Sequence, residues 1–115
     1  MDDDLWFSAK VRLAAVLDED RVDSFMDCLH VFRAADWDEA FQRALALGRS
    51  HESEYRNADG ERLRWRLAQV LTLDRVVGSL DGAEVFSESF AADQFRDDRS
   101  SDPFAPERSV PRQTI

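Results

Sequence analysis

The chain has 115 residues, enough for one domain and too few for two ordinary ones. Its 15 Lys and Arg stand against 24 Asp and Glu, a formal charge of -9, so the surface repels nucleic acid and anionic lipid and general duplex binding is not expected. No apolar run approaches the roughly 18 residues of a membrane helix, the acidic start Met1-Asp2-Asp3-Asp4 lacks the basic opening of an export signal, and the single cysteine, Cys28, rules out an internal disulfide. These features predict a cytoplasmic protein without a membrane association.

Alternation of Phe7, Ala9, Val11, Leu13 and Ala15 with Ser8, Lys10, Arg12 and Ala14 has the period of a half-buried strand. Asp18-Glu19-Asp20 supplies a polar connection, and residues 22–34 form a second strand-like segment, so the two predict an antiparallel hairpin. The buried face of the second strand stays open, because Met26, Cys28, His30 and Phe32 compete with Phe25, Leu29 and Val31. Asp36 followed by Glu39 reads as an acidic capping box, and Trp37, Ala40, Phe41, Ala44 and Leu45 recur at helical spacing, which predicts one main helix ending near Gly48 or a turn later.

Asn57-Ala58-Asp59-Gly60 is a turn signal for a second hairpin. Its second arm places Leu63, Trp65, Leu67, Leu71 and Leu73 on one side, broken by Gln69. Asp81-Gly82 marks a further turn, after which residues 85–90 alternate as a short last strand. The expected fold is α+β: an antiparallel sheet of four to five strands with one main helix on one face, in the order β-β-α-β-β-β. Helix residues Trp37, Phe41, Ala44 and Leu45 are expected to pack onto Leu63, Trp65, Leu67, Val11 and Leu13. The domain is set at residues 5–92. Pro103, Pro106 and Pro111 fall in a polar stretch with mixed charge, so residues 93–115 are expected to form a disordered C-terminal tail.

Trp6-Phe7-Ser8-Ala9-Lys10, Tyr55-Arg56-Asn57 before Gly60, Trp65-Arg66-Leu67-Ala68-Gln69-Val70-Leu71 and Val85-Phe86-Ser87 resemble a bacterial family of uncharacterised small proteins, the domain of unknown function numbered 4288. The resemblance spans residues 6–90. It implies domain limits and carries no activity, cofactor or site residue.

No phosphate-cradling glycine loop, nucleophile elbow or His-Glu-x-x-His motif occurs, and no enzyme activity and no cofactor are expected. Cys28 and His30 share a side of their strand, but two ligands fall short of structural zinc, and His51 with Glu52 and Glu54 reads as exposed charge beyond the helix; no metal site is expected. Arg62, Arg64 and Arg66 recur at period two opposite Leu63, Trp65 and Leu67, and Lys10 and Arg12 stand likewise on the first strand. The helix-free face could thus present five positive charges together, as a ligand surface or in cross-strand pairs with acids such as Asp27, Glu52 or Glu54.

The leading functional expectation is a non-catalytic acidic protein-binding module, an immunity or antitoxin-like inhibitor of a basic partner protein being one form. The alternative is nucleotide or single-stranded nucleic-acid binding on Lys10, Arg12, Arg62, Arg64 and Arg66, with Trp6 for stacking.

Overall fold

The computed structural model describes residues 4–89, 91–92 and 104–111. Four antiparallel strands and one helix follow in the order β1 (Leu5–Leu17), β2 (Arg21–Ala34), α1 (Trp37–Arg49), β3 (Ser53–Arg56) and β4 (Arg62–Val76). The sheet order β2-β1-β4-β3 makes β1 an inner strand and β2 an edge. The protein is α+β, one helix on one face of an antiparallel sheet.

β1 buries residues on both of its faces, each covered by a different element. Phe7, Ala9, Val11 and Leu13 are fully buried beneath the helix side, whereas Ser8, fully buried on the other side, donates its hydroxyl to the carbonyl of Val85. Residues 83–89 therefore cross the helix-free face. They do so without joining the ladder, which corrects the expected strand at residues 85–90: its Val85 carbonyl is taken by a side chain and its Phe86 ring by the Lys10 ammonium, 4.8 Å away.

The register settles the open face of β2. Cys28 stands opposite Val11, His30 opposite Ala9 and Phe32 opposite Phe7, so these three face the helix, and Phe25, Leu29 and Val31 face away. β4 departs from the simple alternation. Its pairing with β1 slips where Arg12–Gln69 gives way to Leu13–Leu67 and where Lys10–Thr72 gives way to Val11–Val70, leaving Ala68 and Leu71 as bulged residues. Val70 and Leu73 thereby reach the core, and Leu71, expected on the side of Leu67, has no partner on β1. The Thr72 hydroxyl accepts the Lys10 main-chain N–H at 3.2 Å beside this irregularity.

α1 begins where expected: the Asp36 carboxylate accepts the Glu39 N–H at 2.8 Å, which satisfies one of the free donors of the first turn. Its contact stripe is made of small residues. Ala40, Ala44 and Gly48, at i, i+4 and i+8, are buried, with Leu47 packed beside them. Trp37 and Phe41 are 53 % and 44 % exposed, which corrects their expected place in the core. Close approach explains the choice: a Cβ on Gly48 would stand 2.6 Å from Leu67 Cδ1, so a row of bulky side chains would hold the helix off the sheet. Trp37 instead meets the edge of Phe7, ring centroids 5.1 Å apart. A second cluster joins Ala15, Leu17 and Leu63 with Trp65 near the other end of β1.

The β3–β4 hairpin turns as its sequence requires. Asn57 Oδ1 accepts the N–H groups of Asp59 and Glu61, and Gly60 adopts φ 79°, a backbone conformation that residues with a side chain rarely take. Within the expected tail, residues 104–111 are described and include a short 3-10 turn at residues 106–108; for residues 93–103 and 112–115 the expectation of disorder lies outside the described residues.

Candidate functional site

Period-two spacing does bring Lys10, Arg12, Arg64 and Arg66 to the helix-free face, where Arg12 stands opposite Gln69, Arg66 opposite Ala14 and Arg64 opposite Val16. Carboxylates stand among them. Arg12 makes a bidentate pair with Asp27 at 2.7 and 2.9 Å, Lys10 lies 3.9 Å from Asp27 and 4.0 Å from Glu88, Arg64 reaches Asp20 at 2.6 Å, and Arg62 reaches Glu54 at 3.0 Å. Glu52 is used otherwise, accepting the Leu67 main-chain N–H at 3.0 Å. Four of the five cations thus meet four carboxylates, and Arg66 is the member without an ion-pair partner among the described residues.

The strongest pair is also the one with an electrostatic signature. Hydrogen bonding from Arg12, aided by its charge and that of Lys10, holds the Asp27 carboxyl below its ordinary range, and the same hydrogen bond raises Arg12. Aromatic rings also occupy these cations. Arg12 lies over Phe25 at 5.7 Å, and Trp6, expected to be a stacking platform, has the Arg33 guanidinium over it at 5.6 Å.

A different surface stands out at the edge of the sheet. β2 is fourteen residues long and hydrogen-bonds to β1 on one side, and among the described residues no main-chain group pairs with its other side. On its outward face Phe25, Leu29 and Val31 are 59, 45 and 41 % exposed. Edges are ordinarily protected by charge, proline or brevity. Here Asp27, the carboxylate at the centre of that face, is drawn inward by Arg12. The approach to this edge is acidic, with Asp18, Glu19, Asp20 and Asp23 all exposed.

His30 and His51 form the remaining constellation. The first projects from β2 toward the helix side, and the second lies in the turn after α1, its N–H bonded to Gly48 O at 3.1 Å. Their Nε2 atoms are 2.9 Å apart. Burial, with the charge of His51 as a lesser contribution, lowers the His30 pKa and favours the neutral ring. Sequence spacing had no means of pairing residues on different layers of the fold. Cys28 is free and half-buried, and among the described residues no three His, Cys, Asp or Glu side chains gather as a metal cluster. A shallow groove between α1 and β4, lined by Phe41, Leu45, Arg49 and Leu67 among others, holds no group of titratable side chains. Among the described residues no helix is long and apolar enough to cross a membrane.

The family described as Domain of unknown function (DUF4288) matches residues 6–87, most of the chain and all five elements from the second residue of β1 onward, and the chain belongs to it. No curated protein and no solved structure matches.

Proposed function

We propose that this DUF4288 domain is a non-catalytic protein-binding module that receives an extended, basic segment of a partner protein along the free edge of β2. The observation that carries this reading is the edge itself: the β2 main-chain groups that point away from β1, met by no main-chain group among the described residues and flanked by outward Phe25, Leu29 and Val31. An added strand satisfies the main-chain donors and acceptors, and side chains at every second position meet the apolar row. The charge of -9 and the acidic β1–β2 connection select for a basic partner and raise its association rate. An immunity or antitoxin-like inhibitor of a basic protein is the form of this activity that charge and size favour.

Nucleotide or single-stranded nucleic-acid recognition on Lys10, Arg12, Arg62, Arg64 and Arg66 has weaker support, because four carboxylates share that surface and each would have to release its cation before a phosphate could bind. The two readings separate in one experiment. Affinity capture from the native host with the wild-type chain and with Leu29→Lys, followed by hydrogen exchange on the reconstituted complex, should return a basic protein that the variant loses and that protects the β2 amides. A partner retained by Leu29→Lys argues against the edge, and capture of nucleic acid or of no partner argues against the module.

A further inference from the structure

We propose that His30 and His51 form a two-histidine binding site for a divalent transition metal ion that favours right-angled coordination, nickel(II) or copper(II), with water or a small ligand in the open positions. The argument begins with the distance. Two imidazole nitrogens bound at about 2.0–2.1 Å to one ion stand about 2.8–3.0 Å apart when the angle between them is 90°, and about 3.3–3.4 Å apart when it is tetrahedral. The Nε2 atoms of His30 and His51 are 2.9 Å apart, with ring centroids at 5.0 Å and planes tilted by 48°. The nitrogen separation is the one a square-planar or octahedral ion requires, so loading asks for a swing of the rings and not for movement of strand or helix.

The supports are independent and ordered. His30 is held in a ladder opposite Ala9, and His51 in a turn closed by main-chain bonds from His51 to Gly48 and from Glu52 to Arg49. Both rings are half-buried, which leaves one side open to an entering ion. Without metal, an Nε2–Nε2 contact needs one ring to donate and the other to accept, and two protonated rings repel at this distance. An ion between the two lone pairs removes that constraint. Because no third His, Cys, Asp or Glu completes the set among the described residues, the ion would keep exchangeable positions, as an open site does and a structural zinc site does not.

A bound ion would tie the edge strand to the end of the helix, and any ligand of the folded state alone raises the unfolding temperature. The test uses the full, untagged chain stripped with chelator and titrated with nickel(II). One ion per chain, a thermal midpoint raised by several degrees and loss or strong shift of the ring 15N signals of both histidines are expected. His30→Asn and His51→Asn should each weaken nickel binding at least tenfold. The wild-type ring signals report on the site even if a variant unfolds. Absence of binding, binding unchanged in either variant, or perturbation of one ring without the other would overturn the site.

Discussion

Asp27 sits between Arg12 and Lys10 on a strand whose neighbouring outward residues are apolar, and its carboxyl is lowered chiefly by the Arg12 hydrogen bonds. A carboxylate with a lower pKa folded than unfolded contributes stability that is fully present above the unfolded value of about 3.8 and is lost as pH falls through the folded one. Arg12→Gln should therefore bring the Asp27 carboxyl back toward its ordinary range in an NMR titration, and should flatten the acid limb of stability below about pH 4. An unchanged titration would mean that the pair is not formed in solution. Gly48 carries a second prediction at this scale. Its missing Cβ makes room for Leu67, so Gly48→Val should cost about 1–3 kcal/mol through overpacking, with Leu67→Ala in the same chain recovering part of the loss. Strictly additive midpoints for the two substitutions would show that Gly48 and Leu67 do not compete for that space.

Among the elements, the helix stripe decides where stability resides. Phe7 is fully buried between Phe32 and Trp37, whereas Phe41 is 44 % exposed. Phe7→Ala should cost about 3–5 kcal/mol and Phe41→Ala less than half as much, measured by denaturant midpoints; equal costs would place the helix rotated about its axis. The identity and order of the elements from β1 to β4 was legible because each had a local cause, the Asp36 cap, the Asn57–Gly60 turn and the period-two run of β1, whereas the last strand expected after the Asp81-Gly82 turn did not form among the described residues. Which side chains those elements bury was less so. The bulges at Ala68 and Leu71 shift the face of β4 midway, and a Leu-rich run looks alike whether or not its ladder slips. Small residues on α1 look like weak contributors until the helix is seen to need their smallness. The same limit applies to the candidate site: the basic ladder follows from spacing, but its pairing with Asp20 depends on the β1–β2 connection lying near β4, and the His30–His51 contact spans 21 residues and two layers.

On the scale of the whole molecule, the sheet has two covers and the helix is only one of them. The other is the segment 83–89, which has no regular structure yet closes Ser8 from solvent, places Phe86 against Lys10 and brings Glu88 to the same ammonium. A fully buried hydroxyl on an inner strand needs an acceptor, and removing the Val85 carbonyl would leave it unpaired or wet at a cost of about 1–3 kcal/mol, before any loss of apolar cover. The family match ends at residue 87, within this segment, consistent with its belonging to the folded unit. Two truncations separate cover from tail. A chain ending at Gly82 should unfold at a midpoint lower by roughly 4–8 °C for each kcal/mol lost. A chain ending at Ala92 keeps every contact named for Ser8 and Lys10, and its midpoint should stay within a few degrees of the full chain. Equal midpoints for both would mean that residues 83–89 do not stabilise the sheet, and a collapse of the longer chain would mean that residues after Ala92 complete the core.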